Sequence, residues 1–151
     1  LFANNEKIAL LTMQGNFLMI NSSQINPIGR IAKGIKGIKL NNGDHVISTR
    51  IVKENAKRII SITQNGLIKQ TDINEFNCQG TNTKGAKIQK INNDDFMSDF
   101  LPINDAKEVI ICATSSIIKI DKETRKYSYN RENKLISYTM CTKNRTVLCK
   151  R

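Results

Sequence analysis

The chain has no tryptophan, and aromatic residues make up only 5% of it. Stacking platforms of the kind that grip single-stranded nucleic acid are therefore scarce. Its one histidine, His45, follows Asp44 in a turn-like stretch, and no motif sets a serine or cysteine nucleophile beside it. Cys78, Cys112, Cys141 and Cys149 form no C-x-x-C pair and stand far from His45, so no zinc site is expected. Cys112 lies in an aliphatic run and reads as a buried free thiol, which suits a reducing cytosol. There is no Walker-type glycine loop. The apolar runs, such as Val109–Ala113, are too short to cross a bilayer, so no membrane role is expected. There is neither a signal-peptide pattern nor an initiator methionine, and the reading begins mid-pattern at Leu1, as in a piece cut from a longer protein. No catalytic residue, metal or cofactor is expected in this segment.

Acidic residues are also in short supply. Thirteen Asp and Glu face 24 Lys and Arg, giving a net charge of +11 and a pI near 9.7. A domain this basic meets a polyanion, nucleic acid or a membrane surface, unless the charge is only a solvated coat. The charge is uneven: residues 1–53 carry a net +5, residues 54–104 a net zero and residues 105–151 a net +6.

The organisation is a repeat. Shifted by 51 residues without a gap, Thr12 falls on Thr63, Gly15 on Gly66, Gly29 on Gly80 and Gly34 on Gly85. Lys33, Lys36 and Lys39 fall on Lys84, Lys87 and Lys90, and Asp44 on Asp95. A weaker third copy begins near Glu108. The reading is three units, 1–52, 53–103 and 104–151. Each shows strand-length apolar runs (KIALLT, RIISIT), tight turns at Gln14–Asn16, Gln64–Gly66 and Thr114–Ser116, and further turns at NNGD and NNDD. About four strands per unit of roughly fifty residues is the economy of a propeller blade. The fold class is all-β. The one competing helix, Asp121 to Asn133, is mostly polar. Ile8, Leu10, Ile38, Leu40, Ile59, Ile91, Ile110 and Cys112 are the expected core positions.

The glycine–lysine stretches GRIAKGIKGIKL and GTNTKGAKIQKI carry the functional signal. Gly29 and Gly34, repeated as Gly80 and Gly85, permit close backbone approach, which would let phosphate oxygens reach main-chain N–H groups. Arg30, Lys33, Lys36 and Lys39, then Lys84, Lys87 and Lys90, extend the charge. A bulge at Lys36-Gly37 would leave Ile35, Ile38 and Leu40 inward and the lysines outward. One such loop is adequately explained as a turn with solvated lysines. Two at a fixed offset on a basic chain point to phosphate contact, and the absence of a recognition helix points to the backbone of a duplex. Asp94-Asp95 occupy the turn equivalent to Gly43-Asp44 and read as turn residues, not an acid–base pair.

The string N-P-I-G-R-I-A-K-G-I-K-G-I-K-L-N-N-G-D-H-V resembles a blade of the C-terminal domain of the DNA gyrase A subunit, and ITQNGLIKQTDINEF is similar to that family's next strand pair. VIICATSSIIKI looks like the opening hairpin of a further blade. The resemblance is specific over residues 8 to 91 and thins beyond. It implies a β-pinwheel, a propeller-like ring of which this chain would be an arc of about three blades, whose rim bends duplex DNA. It implies DNA contacts at Arg30, Lys33, Lys36, Lys39, Lys84, Lys87 and Lys90, and at Lys69. As partners it implies duplex DNA, the ATPase subunit, and the rest of the topoisomerase's DNA-cleaving A subunit. It implies a cytoplasmic, nucleoid-associated setting. The breakage tyrosine and the ATPase would lie elsewhere. The family's Q-R-R-G-G-K-G box is absent, R-I-A-K-G being the nearest stretch. The corresponding subunit of topoisomerase IV carries related blades, so its C-terminal domain is the alternative. A propeller-type protein-interaction module is the alternative of another class.

Overall fold

The computed structural model describes residues 6–104, except 27, 30, 32 and 66, and beyond them the backbones of four strands. The strands are β1 (Lys7–Thr12), β2 (Asn16–Asn21), β3 (Val46–Val52), β4 (Arg58–Thr63), β5 (Ile68–Asp72), β6 (Ala86–Lys87) and β7 (Met97–Ile103). After them come β8 (Glu108–Cys112), β9 (Ile117–Asp121), β10 (Thr139–Thr142) and β11 (Arg145–Leu148). They form three antiparallel sheets, ordered β3-β1-β2-β6, β5-β4-β7 and β11-β10-β8-β9. Among the described residues the only helical segments are single 3-10 turns at Ser22–Gln24 and Ile73–Glu75. The expected turn Thr114–Ser116 and the competing helix after Asp121 lie outside the described residues.

The 51-residue repeat holds at the level of single hydrogen bonds. Thr12 Oγ1 accepts from Asn16 N at 3.0 Å, and Thr63 Oγ1 from Leu67 N at 3.0 Å. Asp44 Oδ1 accepts from Gln14 N at 3.0 Å, and Asp95 Oδ1 from Asn65 N at 3.1 Å. Asn21 caps the first 3-10 turn and Asp72 the second, each accepting from the backbone two residues on. The ladders shift register at the same place, between Leu11 and Thr12 and between Ile62 and Thr63. Asp44 and Asp95 are therefore the locks of their turns. Each buried carboxylate ties the turn of a hairpin to the loop that leads into the sheet's next strand.

The copies differ at one atom of that lock. Asn16 Nδ2 donates to Asp44 Oδ2 at 3.2 Å. In the second copy Leu67 stands where Asn16 does, and Asp95 Oδ2 is buried without a hydrogen-bond partner. A second exchange is compensated. Leu10 packs on the apolar cluster of Ile8, Leu18, Ile20 and Ile38. At the equivalent pair Ser61 Oγ donates to Gln89 Oε1 at 2.6 Å, fully buried. An apolar pair has given way to a satisfied polar one.

The second unit is bound to the first by a continuous strap, residues 73–88. Gln79 N donates to Met19 O at 2.8 Å and Ile88 N to Gly15 O at 3.1 Å. Strand β6 closes the first sheet, with Asn16 opposite Lys87 and Phe17 opposite Ala86. Phe76 lies 4.7 Å from the Phe17 ring, and Phe100 meets that ring edge-on at 5.2 Å. Gly85, at φ +69, sits so close that a Cβ there would lie 2.2 Å from Phe17 O. No other residue fits this crossing.

The main core lies between the first two sheets: Ala9, Leu11, Phe17, Met19 and Val52 against Ile59, Ile88, Met97 and Phe100. Burying each large side chain is worth about 1.5–3 kcal/mol. At the margin Arg50 of β3 reaches across to β7. Its guanidinium pairs with the Asp99 carboxylate, its Nε donates to Phe100 O at 2.6 Å, and it lies over the Phe100 ring.

Ile8, Ile38 and Ile59 are buried as expected, and Leu10 and Ile91 are half-buried. The side chains of Ile110 and Cys112 lie outside the described residues. Leu40 and Ile35 depart from expectation, being 42% and 48% exposed. The bulged strand expected over residues 35–40 is an irregular segment holding one bridge, Ile38 to Thr83. In the second copy only Ala86–Lys87 is strand. The reason is tertiary. Ile91, the counterpart of Leu40, packs over the first hairpin at Gly15, whereas among the described residues no hairpin stands before Leu40.

Two outcomes follow from these differences between copies. Leu67→Asn should add about 1 kcal/mol of stability and so raise the urea midpoint, because it supplies the donor missing at Asp95. Asn16→Leu should lower the stability by about 1–3 kcal/mol, and with it the midpoint, by orphaning Asp44 Oδ2. Urea melts of both variants check the opposite signs. Gly85→Ala should cost about 2–4 kcal/mol, from the clash with Phe17 O and the positive φ together. Gly34→Ala, at φ +88 with nothing within 4 Å, should cost about 1 kcal/mol. Equal losses at Gly34 and Gly85 would contradict the close crossing.

Candidate nucleic-acid interface

Lysine side chains that must meet an external anion need exposure and freedom from local carboxylates. Lys33, Lys36, Lys39, Lys69, Lys84, Lys87 and Lys90 are all exposed. Among the described residues none of the seven takes part in an ion pair; the pairing of Arg50 with Asp99 involves neither ladder. Arg30 lies outside the described residues. Gly29 and Gly80 are exposed, and a Cβ on either would meet nothing within 4 Å, so neither is required for a close internal contact.

The two glycine–lysine stretches touch. Ile38 forms a parallel bridge with Thr83, Lys39 N donates to Thr83 O at 2.8 Å, and Asn82 N donates to Gly37 O at 2.9 Å. This register sets residue 39 abreast of residue 84 on adjacent backbones, about 4.8 Å apart. The end of the first lysine ladder thus lies beside the start of the second. Asn82 takes a positive φ of 61 to make this contact, a conformation that asparagine tolerates better than most residues.

Two of the seven lysines have a second engagement. Lys87 Nζ donates to Gln14 O at 2.6 Å, and Lys69 Nζ to Ile88 O at 3.0 Å. Each ammonium thereby ties the strap to a hairpin while keeping its charge at the surface. The strand pairing of Lys87 with Asn16 and this bond pin the second ladder to the first sheet. Lys69, singled out only by resemblance, lies on β5 and reaches the strap between Lys87 and Lys90. Sequence reasoning missed Arg50 because its partners come 49 and 50 residues later on another sheet. An arginine within the strand run VISTRIV was the one available signal.

The turn carboxylates are engaged by nearby amides. Asp44 accepts from Gln14 N, Asn16 Nδ2 and His45 N, and Asp95 from Asn65 N and Phe96 N. Among the described residues no group of three His, Cys, Asp or Glu side chains could hold a metal ion, and no helix is long and apolar enough to cross a membrane. Cys78 is an exposed free thiol.

Comparison with known proteins agrees with this geometry. The family model described as DNA gyrase C-terminal domain, beta-propeller, matches twice, at residues 6–53 and 57–104. The DNA gyrase A subunit of Ureaplasma parvum is 29% identical over 112 residues, covering 74% of this chain and 13% of that protein. Among solved structures, the C-terminal domain of DNA topoisomerase IV superposes with a TM-score of 0.69 at 23% identity, covering 83% of this chain and 40% of that one. A DNA gyrase A C-terminal domain gives 0.70 at 16% identity, covering 90% and 49%. At these identities the solved structures establish the fold, a β-pinwheel of propeller-like blades. The chain spans about an eighth of the gyrase protein it matches (13%). With two tandem matches starting at residues 6 and 57 and this fold, the chain belongs to the DNA gyrase C-terminal domain family.

Proposed function

We propose that this chain binds and bends duplex DNA, without sequence preference, as part of the DNA-cleaving A subunit of a type IIA topoisomerase. The observation that carries the reading is the meeting of the two lysine ladders at the Ile38–Thr83 bridge. It makes one track out of two short patches. Lys33, Lys36 and Lys39 lead into Lys84, Lys87 and Lys90, all exposed and, among the described residues, none in an ion pair. Each phosphate neutralised by such a lysine releases condensed counterions. Bending a short duplex costs on the order of 1–6 kcal/mol, which one patch of three lysines could hardly offset and a continuous track can.

The irregular backbone of residues 33–37 and the loop at Gly80–Lys84 suit phosphate contact, since neither is engaged in a regular ladder. Lys69 extends the same surface, and Arg30, outside the described residues, is proposed as a further phosphate contact by its place beside Gly29 in the sequence. DNA cleavage and ATP hydrolysis belong to other parts of the parent enzyme. Its protein partners are the ATPase subunit, together with the remaining segments of its own DNA-cleaving polypeptide. In a gyrase the bent duplex would set the crossover that becomes a negative supercoil. In a topoisomerase IV the same surface would serve decatenation and relaxation. A cytoplasmic, nucleoid-associated location follows from this role.

Removing one ladder should act on the salt dependence. With six lysines on phosphate, log affinity falls with log salt at a slope of about 5. Lys33, Lys36 and Lys39 changed together to alanine should bring that slope down by about 3 and weaken binding at low salt, with thermal stability nearly unchanged. Titrating a long duplex at several salt concentrations, beside thermal melts, measures both. A folded triple variant with an undiminished slope contradicts the reading.

A further inference from the structure

One face of the second sheet has exchanged apolar residues for polar ones. In the first copy Leu10, Leu18, Ile20 and Ile38 belong to one apolar cluster, Leu18 being 1% exposed. At the positions 51 residues on stand Ser61, Lys69, Thr71 and Gln89. The ladder sets Ser61 opposite Lys69 and Ile59 opposite Thr71, so strand alternation puts Ser61, Lys69 and Thr71 on one face. Ser61 Oγ donates to Gln89 Oε1 at 2.6 Å, and Thr71 Oγ1 is buried without a hydrogen-bond partner. A buried hydroxyl without a partner is destabilising. The apolar face of the first copy carries no such cost, so packing alone does not account for the exchange.

What the exchange supplies is an ammonium group. A lysine is not tolerated inside an apolar cluster where Leu18 stands. Among polar neighbours Lys69 is exposed, and its Nζ donates to Ile88 O at 3.0 Å. Further bonds continue the series. Ile88 N donates to Gly15 O at 3.1 Å, and Lys87 Nζ to Gln14 O at 2.6 Å. The β1–β2 hairpin, the strap and the β4–β5 hairpin are thereby joined through two consecutive strap residues. Two of these joints are ammonium groups that belong to the basic track. An ammonium has three N–H donors and no acceptor. One donor goes to the carbonyl, and two remain. The ammonium groups of Lys84 and Lys90, by contrast, have no hydrogen bond to another described residue.

We infer that Lys69 and Lys87 are bridging lysines, each holding a main-chain carbonyl of another segment with one N–H and a DNA phosphate with the others, so that duplex binding is coupled to closure of the joint between the two hairpins. This rests on the duplex-binding reading of the track. Lys84 and Lys90 take phosphate without gripping a second segment. Lys69 and Lys87 are held in place for phosphate only while the strap is seated, because seating brings their carbonyl partners beside them. They are positioning residues as well as phosphate contacts. By reciprocity, a duplex that binds better to the seated strap holds the strap seated. The polar face of the second sheet is the local adaptation that admits Lys69 to this arrangement.

The test reads strap opening by amide exchange at Gln79 and Ile88, whose N–H groups bond to Met19 O and Gly15 O. Exchange is measured with and without a saturating duplex of about 20 base pairs at low salt. The duplex should slow both amides by roughly tenfold. Lys69→Met combined with Lys87→Met keeps both stems and removes both ammonium groups. This double variant should lose about 2 from the salt slope of binding. At matched saturation, the duplex should slow its two amides by less than about twofold. Lys90→Met should lose about 1 from the slope and keep the full slowing. If the double variant does not fold, Lys87→Met alone carries the test, with a slope lower by about 1 and a slowing of about threefold. A brace with no phosphate role would quicken exchange in the free variant yet leave its salt slope and its response to duplex intact, and that result overturns the inference. So does a Lys90→Met protein that loses the slowing as fully as the double variant, since the slowing would then follow from binding alone. A duplex that fails to bind the unaltered chain overturns the duplex-binding reading itself. A duplex that binds with the expected salt slope and leaves both amides unchanged overturns this inference alone.

Discussion

The contact on which the rest of the molecule depends is the crossing of Gly85 over the carbonyl of Phe17. A side chain at that point would lie 2.2 Å from the oxygen, so the strap can approach only without one. Because it approaches, Ala86–Lys87 close the first sheet, Phe76 reaches the Phe17 ring, and Ile88 drops into the core between the sheets. Apolar burial is the large favourable term here, but it is not directional. The crossing and the paired backbone bonds on either side give it one register. Arg50, paired with Asp99 and bonded to Phe100 O, fixes the far margin of the same interface.

That register also decides where the charge goes. The strap arrives with Thr83 beside Ile38, and a bridge between those two residues sets residue 39 abreast of residue 84. A strap shifted by one residue would turn Lys87 away from Gln14 O and Ile88 out of the core. The placement of lysines on the surface is thus a consequence of packing within the interior. The basic character of the domain is tuned by what is kept off the track as well. Arg50 is consumed by a carboxylate, and Asp44 and Asp95 are turned inward to hold backbone amides.

The repeat, the strands and the exposed lysines were legible in the sequence because each is written in local pattern: alternation, glycine-bearing turns and an ungapped offset. The turn locks were legible as turns, though only the structure shows that Asp44 and Asp95 reach back 30 residues to a hairpin. What escaped was everything that depends on the neighbouring blade. Leu40 and Ile35 read as inward strand residues, and they are exposed because no hairpin among the described residues covers them, whereas the turn at Gly15 covers Ile91. Lys87 read as a free surface cation, and it is tethered to a carbonyl 73 positions away. The exchange of Leu10 and Ile38 for the hydrogen-bonded Ser61 and Gln89 was invisible for a related reason. Either pair satisfies the same space, and only contact across the sheet reveals that the two positions change together.

The claim at the centre of this account is that two ladders form one path for a duplex. Lysine reactivity toward an acylating reagent, read residue by residue with and without a duplex of about 20 base pairs, tests it directly. At some 3.4 Å per base pair such a duplex is long enough to lie along both ladders. The account predicts that Lys33, Lys36, Lys39, Lys84 and Lys90 become protected together, over the same range of DNA concentration, while Lys7 and Lys53, at the other end of the first sheet, keep their reactivity. Protection of one ladder alone, or of Lys7 and Lys53 in place of the ladders, would contradict it.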